Sequence, residues 1–559
     1  MTRAPLDLSG GRPTSGTDLN IARQLIVRAG VVEALTPLVD SGIGRPRHLS
    51  LLGLLVACQL NALGRHHQAH LVEVARTLNA MTEAQRLSLE ITDWDPEEAY
   101  HRVERLFVRL CEVLDLGEAG LNEEWFANQL VRAAIPPKYL VSSSLAVDGT
   151  DVETWGALQG EAVTVDLDGE ATETQERIGI PKVAKGAHRR ARVLGIGPDG
   201  RKRYTADPDA RAGHRSATNS RPAGPYVGYE LHLGVQTRNV RWTNHIDRTT
   251  LGPEVPGVIT TCNLAPAGTH RGRSVVDTLI SAKKDGVQQI EEVVWDPGYS
   301  LCKPGSTSVP LARAGIVQTF QPVTHQRGSR PFSGDALLID GQLFSSHLPE
   351  ELRDLPAPPR GAAETDKVAY EAKFNQRARW RLVRHAGPDA DGLTRWRCPF
   401  CAGLLRSRQV PKTMRASRNS PLVHLREGFT SCCSGILSAA PVELPLAQRI
   451  PYGTTAWRIS MGRRQVVESV NAALKGSFVD LSRGFFRVFG RVKTSVLLGF
   501  TLAAFNLERI RSFRAKHGLE EGESVQDVTS TPHRKKRRRG TWAQIVEERP
   551  QAPPAAPRP

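Results

Sequence analysis

Apolar positions change their period along this chain, and each change marks a different kind of structure. From Leu19 to about Ala134 they recur at steps of three and four, as in Leu71, Val74, Ala75 and Leu78, with few glycines, so an all-helical N-terminal region is expected. At Tyr139 the pattern turns to short β-prone runs. LVSSSLAV ends at Asp148-Gly149-Thr150, and YVGYELHLGV spans Tyr226 to Val235. VITTCNL spans Val258 to Leu264, and IEEVVW spans Ile290 to Trp295, just before Asp296-Pro297-Gly298-Tyr299. A helix fits about Arg273 to Asp285, and helical spacing returns from about Met461 to Lys516.

Two polar stretches, about 160–225 and about 300–450, interrupt these runs and read as irregular insertions. Residues 1–18 are rich in Gly, Pro, Ser and Thr and are expected to form a flexible arm. Residues 516–559 carry the block Arg534-Lys535-Lys536-Arg537-Arg538-Arg539 and a Pro- and Ala-rich end, the composition of a disordered basic tail. The expected plan is therefore α/β: a helical region over 19–138, then a mixed sheet flanked by helices over 139–515.

Charge narrows the partner. The 559 residues include 74 Lys+Arg against 58 Asp+Glu, a net charge of +16, which favours a polyanion, nucleic acid first. The apolar runs Leu51 to Cys58 and Val496 to Phe505 fall short of the roughly 20 residues of a membrane span, so no membrane partner is expected. No apolar segment follows the first residues, so no secretory signal is expected. Of the 8 cysteines, four are scattered and four cluster late, which suits a reducing interior and a cytoplasmic protein.

Three carboxylates stand out. Asp148 and Asp296 each end an apolar strand, where sites of sheet proteins gather, and Glu468 lies on a later helix. Three acids around one cleft could hold two Mg²⁺ ions, because hard cations take oxygen ligands and such a pair can activate a hydroxyl at a phosphodiester. On the helix, Arg464, Glu468, Asn471 and Lys475 fall on one face, while Val467, Val470 and Leu474 fall on another. Asp151, three residues after Asp148, is the competing candidate for the first acid. Asp148 is preferred because it directly ends the apolar run.

Cys398-Pro399-Phe400-Cys401 is a half-site for structural Zn²⁺, with Cys432, Cys433 and His424 as further ligands; buried thiols are the equal alternative. His66, His67 and His70 have no acidic or cysteine neighbour in sequence and read as satisfied surface histidines.

The spacing Arg464-x3-Glu468-x6-Lys475 resembles the signature of bacterial insertion-sequence transposases of the DDE group, with Met461 where that signature usually begins with Tyr. Ala146-Val147-Asp148-Gly149-Thr150, Gly228 to Leu233 and Val294-Trp295-Asp296-Pro297-Gly298-Tyr299 resemble the other parts of the pattern, in the same order. The run Val496 to Asn506, with Leu507 and Arg509, looks like the helix that closes such domains. The resemblance implies a ribonuclease-H-like catalytic domain and strand cleavage at the ends of a mobile element, followed by joining of the 3′-hydroxyl ends to target DNA. It further implies Mg²⁺ or Mn²⁺ on Asp148, Asp296 and Glu468, and phosphate contacts from Arg464 and Lys475. The helical region would bind the element ends as part of a homodimer on double-stranded DNA, in the bacterial nucleoid. A DNA-binding protein without cutting activity and a metal-dependent nuclease without strand joining are the alternatives.

Overall fold

The computed structural model describes residues 7–520 and 523, apart from 9, 12, 41–46, 65, 165–186, 216–221, 242–249, 287, 357, 359, 360, 400, 401 and 403–435. Helices occupy Gly16–Arg28, Val31–Val39, Leu51–Ala62, Leu71–Asn79, Glu83–Leu87, Ala99–Leu116 and Glu123–Ala133. Four of these starts are set by side chains that accept an otherwise unpaired backbone N–H. Ser15, Ser50 and Asn122 each do so, and Thr82 with Gln85 forms a reciprocal capping box.

The two apolar runs are core helices. In Leu51–Ala62 nearly every residue is buried, and Arg491–His517 is buried along most of Val492 to Asn506. Among the described residues no helix is long and apolar enough to cross a membrane.

The sheet at the centre of residues 139–515 is mixed. Its strands are β1 (Ser144–Glu153), β2 (Gly224–Thr237), β3 (Ile259–Pro266), β4 (Glu292–Trp295) and β5 (Val317–Thr319), in the spatial order β3-β2-β1-β4-β5. β3, β2 and β1 are antiparallel, whereas β1, β4 and β5 run parallel. A further strand, Arg211–Arg215, pairs with the start of β2. Alternation along β1 sends Leu145 and Val147 to a core with Val275, Leu279 and Trp295, and Ala146 to a core shared with the N-terminal helices and Arg491–His517.

That second core joins the helical region to the sheet. Gly499 lets the long helix close on Glu123–Ala133: a Cβ there would stand 3.0 Å from the Ala127 Cα. The outer edge of β3 is covered by two buried amides. Asn128 exchanges hydrogen bonds with the backbone of Cys262 at 2.8 and 2.9 Å, and Asn506 does the same with Ile259 at 2.8 Å in both directions. Edge N–H and C=O groups that would otherwise be unpaired are thus satisfied from the flanking helices.

Two sequence expectations change. The stretch from 300 onward is not wholly an insertion, because Ser308–Arg313 and β5 complete the sheet and its second core. Nor is it irregular: two three-stranded sheets and the helix Glu364–Ala378 follow. The helical run expected from Met461 to Lys516 is broken between residues 478 and 490.

His67 and His70 are satisfied, as expected, but they are not surface groups. His67 packs edge-on against Phe485, its Nδ1 2.8 Å from the Gly64 carbonyl, and His70 Nε2 lies 2.9 Å from the Gly484 carbonyl. Both tie the helical region to residues 478–486. Burial pulls the His67 imidazole down to about 4, against its Gly64 hydrogen bond, and pulls that of His232 to about 3. A histidine held neutral in the fold lets the unfolded chain take up more protons as pH falls below about 6.5, so each should cost about 1.4 kcal/mol of stability per pH unit down to its folded value. Denaturation followed from pH 7 to 5 should show this slope, and a His67→Gln variant should show it reduced. An unchanged slope would contradict the assignment.

Candidate active site

Asp148 lies on β1 just beyond its buried stretch, and its carboxylate accepts the Gly149 N–H at 2.9 Å. Asp296 follows β4, which runs parallel to β1 with Val147 opposite Trp295. Asp296 caps the short helix Pro297–Ser300, accepting the Gly298 N–H at 2.7 Å. Parallel pairing therefore delivers both aspartates to the same end of adjacent strands.

Glu468 comes from the helix Gln465–Ala472. The helix buries Val467 and Val470, with Leu474 buried just beyond it, as the apolar spacing predicts. Its polar face reaches both strand ends. Arg464 pairs with Glu468 and lies 3.6 Å from Asp296, while Asn471 Nδ2 donates to Asp148 at 3.3 Å. The fold thus brings Asp148, Asp296, Glu468 and Arg464 into one neighbourhood.

The electrostatics agree with that geometry. Burial pushes the Asp148 carboxyl up; Arg464 and the Gly149 N–H oppose this, Asp296 and Glu468 add to it, and the result is about 6. Carboxylates must be close to disturb one another in this way. Behind them, the buried Tyr299 stacks on Trp295 with ring centroids 5.0 Å apart, and its hydroxyl lies 2.9 Å from His232 Nδ1. Gly149 leaves room for this layer: a Cβ there would stand 2.8 Å from Glu230 Oε1 and 3.0 Å from His232 Nδ1.

Comparison with protein-family models, with curated proteins and with solved structures finds no match for this chain. What the site can do rests on its own geometry.

Lys475 stands apart from the three acids. Beyond Ala472 the helix widens into a π-turn over Ala473–Ser477, a feature common at functional sites, and Lys475 pairs with Asp151. Arg215 reaches the same carboxylate at 3.3 Å and Glu153 at 2.8 Å. Asp151, the competing candidate for the first acid, is thus the ion-pair partner of two cations. On the expectation that nucleic acid is the partner, Asp151→Asn should release Lys475 for a phosphate backbone while Arg215 stays on Glu153, raising affinity for duplex DNA and steepening its salt dependence by roughly one counterion. Gel shifts across a salt series test this, and an unchanged slope would contradict it.

Two buried residues escaped the sequence reading. Glu292 on β4 accepts hydrogen bonds from Ser144 at 2.8 Å, Thr319 at 2.8 Å and Arg463 at 2.7 Å, joining β1, β4 and β5 to the chain just before Arg464. Arg463 also donates to the Arg238 carbonyl at 2.8 Å. The signal was present as an acid inside the apolar run IEEVVW, a position that a strand tolerates only with a buried partner. Met461, at the position of the signature's Tyr, packs with Ile450, Tyr452 and Trp457.

A divalent cation finds hard oxygen donors here, and the buried Asn471 Oδ1 has no hydrogen-bond partner. In the present side-chain arrangement, however, no three His, Cys, Asp or Glu groups among the described residues stand close enough to hold a metal, and Arg464 bridges Asp296 and Glu468. Asp148, Asp296 and Glu468 offer the donor chemistry of a hard cation but, as arranged here, not its spacing. Of the expected zinc ligands only Cys398 is in view, buried with its Sγ 3.8 Å from Ser345 Oγ. Cys401, Cys432, Cys433 and His424 lie outside the described residues, as does the basic block 534–539.

Proposed function

We propose that this chain is a DNA transposase of the DDE type, which cuts phosphodiester bonds at the ends of a mobile element and joins the freed 3′-hydroxyls to target DNA. The observation that carries the reading is the meeting of Asp148, Asp296 and Glu468, residues from three separate elements, at one end of the sheet. The mixed sheet with helices on both faces supports a ribonuclease-H-like catalytic domain.

In this reading Asp148, Asp296 and Glu468 would hold Mg²⁺ or Mn²⁺, with the Asn471 amide steadying the Asp148 carboxylate. The bound ions would supply charge stabilisation and an activated hydroxyl at the phosphodiester. Arg464, released from the carboxylates, turns its guanidinium to a DNA phosphate beside the cut, where its planar fork suits the oxygen pair. Lys475 would exchange Asp151 for a second phosphate. The N-terminal helices would recognise the element ends, two copies of the chain would hold a pair of ends together in the bacterial nucleoid, and the Cys398 region would carry a structural Zn²⁺.

The test uses the DNA that flanks the gene for this chain as labelled ends, with Mg²⁺ and a supercoiled target plasmid. Joined products support the transposase reading. Cut ends without joining would indicate a nuclease, and shifted bands without cutting a binding protein.

A further inference from the structure

A deep cleft among the described residues holds none of the residues of the carboxylate site. With a volume of about 1640 Å³, it lies between the β5 edge of the sheet and the two small sheets and helix that follow. Gly315, Val317 and Glu291 border it, so it flanks the start of the parallel strands, the end opposite to Asp148 and Asp296. Its volume exceeds the roughly 300–1,000 Å³ of a small-molecule pocket.

Its lining is cationic. Lys283, Arg379, Arg381, Arg384 and Arg449 face two carboxylates, Glu291 and Glu371. Both acids are engaged: Glu371 pairs with Arg458, and Glu291 accepts the Ser143 hydroxyl at 3.0 Å. Arg379, Arg384 and Arg449 are exposed, and burial alone pulls the Arg384 guanidinium down. Two indoles share the cleft, Trp380 and Trp396, the latter with its Nε1 donating to Thr394 at 2.8 Å. With five cations against two engaged carboxylates, the lining attracts a polyanion.

We infer that this cleft binds an unpaired nucleic-acid strand, its phosphates on Arg379, Arg384 and Arg449 and its bases against Trp380 and Trp396. Cations that track a backbone beside flat aromatic faces are the chemistry of single-strand binding, since every base has a face to stack whatever its sequence. A closed duplex offers those faces only at its ends. The inference shares with the proposed function the choice of nucleic acid as partner, but it concerns a different surface.

The experiment measures fluorescence anisotropy of a labelled single strand of about a dozen nucleotides with the full chain, across a salt series. The exposed pair Arg379→Glu/Arg449→Glu is compared with Lys202→Glu/Arg511→Glu, an equal change of charge at exposed positions outside the cleft and outside the N-terminal helices. Relative to that control, the cleft variant should bind the single strand at least about tenfold more weakly, with a log–log salt slope shallower by about 1.4. Its binding of the flanking duplex should match the control. Single-strand affinity equal to the control's would overturn the inference and leave the transposase reading standing. Duplex affinity falling in step would also overturn it, by making these cations part of a general duplex surface. Wild-type protein that binds neither strand form would overturn both readings.

Discussion

Glu468→Gln is expected to abolish strand cleavage and joining while leaving the binding of flanking DNA intact. The amide keeps the size of the side chain and its hydrogen bonds but removes the charge that would hold a cation. Rates should fall by more than about a hundredfold, the upper end of what loss of a mere outer-shell partner costs. Glu468 is 46% exposed in its side chain, so the fold should be almost unaffected. Asp148→Asn and Asp296→Asn should behave alike, and pairs of these variants should be no worse than single ones, because the three groups act as one unit. Cleavage at the normal rate by Glu468→Gln would reduce the Arg464, Glu468 pairing to an ordinary i,i+4 contact on a helix surface.

The largest effect on stability is expected at Arg463. Its side chain is 2% exposed and its partner Glu292 11%, so Arg463→Met leaves a buried carboxylate without its cation, a loss of about 3–5 kcal/mol. Arg463→Met/Glu292→Met should recover much of that, since an apolar pair of similar volume has no charge to desolvate. The sign with pH is diagnostic. Burial alone would raise the Glu292 carboxyl, but Arg463 and the hydroxyls of Ser144 and Thr319 outweigh it and hold the group below its ordinary range. In the wild type the stabilisation is therefore present above the ordinary carboxylate range and is lost as pH falls through the depressed value. In Arg463→Met burial acts unopposed by that cation, so the deficit should be greatest at neutral pH and shrink on acidification. Urea denaturation at pH 7 and pH 5 measures both effects. A loss under about 1 kcal/mol, typical of a surface pair, would contradict the role given to this network.

Elements with one strong period were legible in the sequence. Val467, Val470 and Leu474 are buried as their spacing predicts, and the runs around Asp148 and Asp296 are neighbouring strands of one sheet. What local pattern could not reveal was pairing between distant segments. β5 is three residues long and has no period of its own; only its parallel pairing with β4 makes it a strand. Lys475 shares a helical face with Glu468 on paper, yet the π-turn after Ala472 places it on Asp151. Arg463 and Arg464 are adjacent and chemically identical in sequence, but one is buried on Glu292 and the other stands among the three candidate acids. The helical region was legible as helix, whereas the core that it shares with the sheet depends on contacts such as Ala127 with Gly499, hundreds of positions apart.

The central claim is that Asp148, Asp296 and Glu468 form one cation site, and Mn²⁺ binding to the full chain, followed by the loss of the free-ion electron paramagnetic resonance signal, tests it most directly. The account predicts that Asp148→Asn, Asp296→Asn and Glu468→Gln each weaken binding at the same site, with no further loss on combination. Mn²⁺ binding that is equal in the wild type and all three variants would contradict it.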